Sequence, residues 1–254
     1  MKRRALDADT TAPTTPARGR AYLFARQQKW LSTALASRLG GVIVATRTNR
    51  GRANRDVSWY DVVRRSGAEI VTWEWALDPG RWRDGLTSEI AYAQTIGARA
   101  VCLNSEPMKD TSRDWRGRHA ELRDYTEAAR DQCDARGLEL WVTSWALPST
   151  APRFPWLEFL APAHAAIVQC YEVHGREGGA YVAQAIAEYR ERGAKRIILG
   201  RGAHELDETD ADAWRTSEQI AAHRASTPPG LDEAWWTPPG VVREDAVDAI
   251  VKPG

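Results

Sequence analysis

The sequence predicts a single α/β domain of the (β/α)8, or TIM-barrel, class with a short disordered N-terminal arm. Eight apolar, β-branched runs alternate with amphipathic segments, the pattern of parallel strands joined by crossover helices. Most of the amphipathic segments end near glycine, which terminates helices and suits short connections. The length of 254 residues is usual for one barrel and leaves no room for a second domain.

The predicted elements follow one another in regular order. The strands are predicted at 21–26, 42–46, 68–75, 98–106, 138–145, 164–172, 195–200 and 231–236. The helices are predicted at 27–38, 56–65, 84–96, 115–136, 155–161, 178–192, 209–224 and 241–251. A doubly wound open sheet is the alternative, but it normally carries a glycine-rich phosphate loop after its first strand, and residues 26–28 are Arg-Gln-Gln.

The chain divides into an arm over 1–19 and a barrel domain over 20–254. The arm is rich in Thr, Pro, Ala and Arg without periodicity, so we expect it to be disordered or extended, as slack or as a docking segment for a larger assembly. No hydrophobic segment follows the initial Met-Lys-Arg-Arg, so no secretory signal is predicted. We therefore expect the protein to be cytoplasmic when it is synthesised. It could later associate with a virion or leave the cell by another route.

Composition excludes several classes of partner and cofactor. The net charge of +1 gives no broad attraction to nucleic acid or to an anionic membrane, and no apolar run is long enough to span a bilayer. Three cysteines without metal-type spacing predict neither a disulfide framework nor a zinc site, and no cofactor is expected. Twelve tryptophans against three phenylalanines supply flat apolar faces with one polar atom each, which suit sugar rings.

The residues at the carboxyl ends of the strands predict the site, because a TIM barrel builds its active site there. The fourth strand closes on Asn104 and Glu106, and Pro107 stops it. The other strand ends are also acidic, amide-bearing or aromatic, which is the chemical character of a carbohydrate site. The candidate residues are Glu74, Asn104, Glu106, Trp145, Gln169, Tyr171, Glu172 and Trp236.

Several strand ends carry a family resemblance. The segment 169–175, Gln-Cys-Tyr-Glu-Val-His-Gly, resembles the Met-x-Tyr-Asp segment of chitinase-like, family-eighteen glycoside hydrolases. Strand 195–200 is similar to their seventh strand, and Trp235 or Trp236 to the tryptophan that floors their sugar subsite. Glu106, followed by Pro107, stands where they keep the proton donor. Family-twenty-five muramidases are the close competitor, since they share the acidic end of strand four and a Gln-x-Tyr.

The sequence departs from this resemblance beside the predicted acid. The chitinase pattern has aspartates two and four positions before the glutamate, where this chain has Asn104 and Cys102. The nearer aspartate orients the acetamido group of the substrate and stabilises the cationic oxazolinium intermediate. Asn104 can form hydrogen bonds with the acetamide but supplies no charge. Glu172 replaces the family's aspartate on strand six with a longer side chain.

The positions at the strand ends, together with the resemblance, predict a role for each candidate. Glu106 is the expected general acid, supported by Glu172, Tyr171 and Asn104, and the expected substrate-binding residues are Glu74, Gln169, Trp145 and Trp236. Strand alternation puts Glu74 opposite its neighbours Trp73 and Trp75, and we expect Glu74 to be the one that points into the barrel. Glu205, His174 and His204 are expected to be loop residues.

Two hypotheses follow for the function. In the first, the barrel hydrolyses an amino-sugar polymer such as peptidoglycan or chitin. In the second, it has lost the chemistry and serves as a glycan-binding or structural component, for example of a phage virion, docked by residues 1–19. Sugar isomerisation is disfavoured because no set of histidines and carboxylates has metal-ligand spacing.

Overall fold

A computed structural model of the chain describes residues 19–25, 31–46, 57–108, 113–171, 178–204, 214–237 and 242–252. Eight parallel strands form a closed barrel in which each strand pairs with the next and β1 pairs with β8. The strands are β1 Ala21–Ala25, β2 Gly41–Ala45, β3 Glu69–Trp75, β4 Ala100–Asn104, β5 Glu139–Trp145, β6 Ala165–Gln169, β7 Ile197–Gly202 and β8 Asp232–Trp236. The prediction of a single TIM barrel is confirmed.

Helices surround the barrel in the order that the sequence predicted. They are α1 Thr33–Ala36, α2 Val57–Ser66, α3 Trp82–Thr95, α4 His119–Asp134, α5 Trp156–Leu160, α6 Gly179–Glu191, α7 Ser217–Ala225 and α8 Glu244–Val251. A 3-10 turn, Pro148–Thr150, was not predicted. None of the helices in the described part of the chain is long and apolar enough to cross a membrane.

Helices α1, α4, α7 and α8 begin later than predicted, and the local reason is visible for α4 and α7. The predicted start of α4 at 115 fails because Gly117 has a φ of 75°, a left-handed conformation that interrupts a helix. Trp115 instead stacks on Tyr125 of α4, with ring centroids 5.4 Å apart. Helix α7 begins after Thr216, whose side chain forms a capping box with Gln219. The predicted residues 209–213 of this helix lie outside the described residues.

Alternation along the strands separates two apolar cores. One face of each strand packs against the helices, as Leu23, Val101 and Val142 do. The other face fills the barrel interior with the cluster Tyr22, Phe24, Ile43, Val71, Ala100, Cys102, Trp141, Ala165, Ile167, Ile198, Ala234 and Trp236. The interior is therefore a packed core below the carboxyl ends of the strands.

A closed ring of charged side chains covers the opposite, amino-terminal end of the barrel. Ion pairs link its members in the order Arg20, Glu69, Arg99, Glu139, Arg196 and Asp232. The backbone N–H of Arg20 donates to the carboxylate of Asp232 over 2.7 Å and completes the ring. Three arginines alternate with three carboxylates, and Glu69, Arg99, Glu139 and Arg196 each lie between two opposite charges.

Aromatic residues of the interior support the ring from inside. The Tyr22 hydroxyl donates to Glu69 over 2.8 Å, and the Trp141 indole donates to Glu139 over 2.7 Å. Burial, followed by the hydrogen bond with Glu69, raises the pKa of Tyr22 to about 12. Burial alone would raise the pKa of Glu139, but the hydrogen bonds from Trp141 and Arg99 outweigh it and lower that pKa. The ring is thus most favourable when its carboxylates are ionised.

We expect Glu139→Gln to lower the free energy of unfolding by about 1 kcal/mol at neutral pH, because it removes charge from a partly buried network. The pKa of Glu139 is lower in the folded state than its ordinary value of 4.5. The stability that it contributes is therefore present above pH 4.5 and is lost as pH falls through the folded-state pKa.

Urea denaturation at neutral pH and at about pH 3.5 measures this effect. The variant should lose less stability on acidification than the wild type. Glu127→Gln, the same substitution at an exposed position of α4, is the matched control and should keep the wild-type pH dependence. An unchanged acid dependence in Glu139→Gln would contradict the stabilising role of the ring.

Candidate active site

Four side chains meet around the carboxylate of Glu106 at the carboxyl ends of β4, β5 and β6. The Asn104 amide donates to Oε1 over 3.0 Å, and the Gln169 amide donates to the same atom over 3.3 Å. The Trp145 indole donates to Oε2 over 3.2 Å. Gln169 also donates to Asn104 over 3.2 Å and to the hydroxyl of Thr143 over 3.3 Å. These contacts define the Glu106 cluster: Asn104, Glu106, Thr143, Trp145 and Gln169.

The register of the parallel strands brings this cluster together. Asn104 pairs with Thr143 between β4 and β5, and Trp145 pairs with Gln169 between β5 and β6. The backbone N–H of Ser105 donates to the carbonyl of Thr143 over 3.1 Å and continues the ladder beyond β4. Glu106 consequently falls two residues after Asn104 on the same interior face.

The cluster extends from a buried base to an exposed rim. Asn104 is only 2% exposed, whereas Trp145 is 39% exposed. Glu106 and Gln169 lie between these extremes and are half-buried. A ligand that enters from the rim would meet the indole of Trp145 before it reaches the amide of Asn104.

An arc of aromatic rings forms the remaining interior side of this end of the barrel. Trp73 lies between Trp75 and Trp236, with centroid distances of 5.7 and 5.6 Å. Trp236 also contacts Phe24 at 4.5 Å and Tyr171 at 6.1 Å. Since Tyr171 follows Gln169 by two residues, the aromatic arc meets the Glu106 cluster at β6.

The predicted orientation of Glu74 is wrong. Trp73 packs against the interior core, so the next residue faces the helix layer, and Glu74 pairs in register with Leu103 of the helix-facing core. There the hydroxyl of Thr46 donates to Glu74. The indoles of Trp73 and Trp75 contact each other and extend the aromatic arc, so the face of β3 that carries them is the one that points into the barrel. Glu74 is therefore separated by its own strand from the Glu106 cluster.

The other predicted residues have mixed outcomes. Asn104, Glu106, Trp145 and Gln169 come into direct contact, while Tyr171 and Trp236 contact each other in the aromatic arc. Glu172, His174 and Glu205 lie outside the described residues. His204 lies beyond the end of β7, outside the named strands, where it forms an isolated bridge with Trp214. It is 1% exposed, and its ring packs against Tyr171 with centroids 6.1 Å apart.

Thr143 is the member of the Glu106 cluster that the sequence analysis did not single out. It lies two residues before Trp145, so alternation along β5 puts both on the interior face. Thr143 could have been predicted by including, on each strand, the residue two positions before the strand end. The same search would have placed Trp73 and Trp75 together on β3.

The described residues contain no candidate metal site. Among these residues, no three histidine, cysteine, aspartate or glutamate side chains are grouped so that they could hold a metal ion. The three cysteines Cys102, Cys133 and Cys170 are buried thiols. Burial raises the pKa of Cys133 to about 12, so this thiol stays protonated at neutral pH.

Comparison with known proteins yields similarity of fold. No protein-family model and no curated protein matches the sequence. A chitinase from Chromobacterium violaceum aligns with a TM-score of 0.66 and 11% identity, over 91% of this chain and 98% of its own. A glycoside hydrolase family 18 N-acetylglucosaminidase from Paenibacillus barengoltzii gives 0.66 and 10%, over 92% and 99%.

A spore cortex-lytic enzyme from Bacillus megaterium aligns with a TM-score of 0.64 and 9% identity, over 94% of this chain and 75% of its own. The resemblance that the strand ends predicted is therefore confirmed for the fold. Identities this low are evidence for a shared barrel alone, and the chemistry depends on the residues of this chain.

We expect Glu74→Gln to lower the free energy of unfolding by about 1 kcal/mol, since it replaces a buried charged hydrogen-bond acceptor by a neutral one. The affinity for a chitin oligosaccharide should stay within about twofold of the wild type, because the side chain faces away from the barrel interior. Urea denaturation and calorimetric titration measure the two effects. A large loss of affinity with unchanged stability would restore the original prediction of a substrate-binding role.

Proposed function

We propose that the chain is a glycoside hydrolase that cleaves an amino-sugar polymer of the peptidoglycan or chitin type, with Glu106 as general acid. One observation carries the proposal. Glu106 lies on the interior face at the end of β4, where two amides and one indole orient its carboxylate beside an arc of aromatic rings. The shared fold with chitinases and a cortex-lytic enzyme supports the same class of substrate.

The contacts of Glu106 suit a proton donor that must be held in place. Cleavage of a glycosidic bond requires a carboxylic acid aimed at the leaving oxygen. Oε1 accepts from Asn104 and Gln169, so it is turned toward the barrel interior, while Oε2 lies on the side of Trp145 and the rim. Protonated Oε2 is therefore the atom that would meet the glycosidic oxygen. The indole of Trp145 fixes its direction and offers an exposed face to a sugar ring.

Asn104 and the aromatic arc supply the remaining contacts in the proposal. The amide of Asn104 is oriented from both sides by Glu106 and Gln169, so it presents a defined hydrogen-bonding edge to an acetamido group. Trp236 and Tyr171 form the apolar floor on which the reacting sugar would rest. Glu172, outside the described residues, is proposed as a further supporting carboxylate of this site.

A second candidate function is glycan binding without turnover. The observation that favours it is Asn104 itself, because it stands where the resembling family keeps a charged aspartate. An amide can bind an acetamide but cannot stabilise a cationic intermediate by charge. Measurable release of reducing sugars by the wild type would exclude this candidate. Tight binding without any release would favour it over the hydrolase.

We expect Glu106→Gln to reduce the release of reducing sugars from chitin oligosaccharides and peptidoglycan by at least roughly 100-fold, because the amide has no proton to donate. Binding of the same oligosaccharide should change by less than about threefold, since glutamine keeps the size and shape of the side chain and one acceptor oxygen for the amides of Asn104 and Gln169. Glu127→Gln on the exposed face of α4 is the matched control. Equal activity in Glu106→Gln and the wild type would refute the assignment.

Asn104→Asp tests whether the missing charge limits the chemistry. The new carboxylate would lie beside that of Glu106 and favour a shared proton, while its charge would stabilise a cationic intermediate formed by the acetamide. We expect turnover of N-acetylated substrates to rise about tenfold, equivalent to about 1.4 kcal/mol in the barrier. Initial rates on acetylated and deacetylated oligosaccharides measure this. An equal change on both substrates would argue against a role for the acetamide.

A further inference from the structure

Tyr189 on α6 reaches the end of β5 from the helix layer. Its hydroxyl lies 2.9 Å from the carbonyl oxygen of Ser144 and 2.8 Å from that of Trp145, so one O–H is shared between two consecutive carbonyls. The side chain is fully buried, and its ring packs against Trp156 with centroids 6.0 Å apart. This contact holds the backbone at the point where β5 leaves the barrel.

The preceding residue of α6 holds the next part of the same connection. The carboxylate of Glu188 accepts from the backbone N–H of Ser149 over 2.7 Å and from its hydroxyl over 2.8 Å. Gln184, one turn earlier on α6, donates to Glu188 over 2.9 Å and orients it. Two adjacent residues of one helix thus fasten the chain on both sides of residues 146–148. We call Glu188 and Tyr189 the α6 clamp.

The held segment carries a side chain of the candidate site. Trp145 is the last residue of β5, and its indole donates to Oε2 of Glu106. At 39% exposure, Trp145 is far less enclosed than the buried Asn104 at the base of the cluster. The backbone of Trp145 must then be held from behind if the indole is to stay within hydrogen-bond distance of Glu106.

We propose that Tyr189 is a positioning residue that holds Trp145 against Glu106 by fixing the carbonyls of Ser144 and Trp145. Its effect on catalysis rests on the proposed function, whereas its effect on the Trp145–Glu106 contact does not. The hydroxyl stays a donor throughout the physiological range, because burial raises the pKa of Tyr189 well above 10. Glu188 extends the same restraint to the residues that follow.

The test is Tyr189→Phe in the full chain, which removes the hydroxyl and keeps the ring packing on Trp156. The readout is the indole N–H resonance of Trp145 in a proton–nitrogen correlation spectrum, assigned by its absence in Trp145→Phe. Glu106→Gln calibrates the resonance, because it removes the carboxylate that accepts from the indole. In Tyr189→Phe the resonance should move toward its position in Glu106→Gln or broaden.

Tyr60→Phe is the matched control. Tyr60 is also fully buried in the helix layer, and its hydroxyl accepts from Tyr92, away from β5. This variant should leave the Trp145 resonance in place. If Tyr189→Phe does not fold, Glu188→Gln weakens the other half of the α6 clamp and should shift the same resonance in the same direction.

An unmoved resonance in a folded Tyr189→Phe, or one that does not respond to Glu106→Gln, overturns the proposal. The kinetic arm is separate. If the wild type hydrolyses a chitin oligosaccharide, kcat in Tyr189→Phe should fall about tenfold because the acid loses its orientation, and KM should change less than kcat because the exposed face of Trp145 stays available to the sugar. If the wild-type protein shows no turnover, the proposed function is refuted. The role of Tyr189 is then decided by the resonance of Trp145 alone.

Discussion

Closure of eight parallel strands is the constraint on which the rest of this structure depends. Once β8 pairs with β1, each strand residue must face either the barrel interior or the helix layer. That division puts Asn104, Thr143, Trp145 and Gln169 on one wall of the interior. It also excludes Glu74 from the same space, although Glu74 lies near the end of β3 between Trp73 and Trp75.

The two ends of the barrel differ in the side chains that they bring together. At the amino-terminal end, the charged ring pairs three arginines with three carboxylates. At the carboxyl end, hydrogen-bond donors converge on the carboxylate of Glu106 while aromatic rings face it from the other strands. A sugar presents both hydroxyl edges and apolar faces, and this end of the barrel offers a partner for each.

In the proposed function, Asn104 is the departure from the resembling family that lies within the Glu106 cluster. Asn104 keeps the position and hydrogen-bonding capacity of an aspartate but brings no charge, so it orients its neighbours without stabilising a cation. The indole of Trp145 stabilises the other side of the carboxylate, and its backbone is held by Tyr189 from α6. Precision at the acid therefore depends on residues in the helix layer as well as on the strands.

By itself the sequence determined the fold class, the order of the strands and helices, and most of the residues at the carboxyl ends. Periodicity and helix-ending glycines are local signals, and a resemblance at strand ends adds to them. Only the tertiary structure decided which face of β3 points inward, that Thr143 joins the site, and that Tyr189 contacts β5. Alternation establishes that neighbouring residues face opposite ways, but which of them faces inward depends on packing with distant strands and helices.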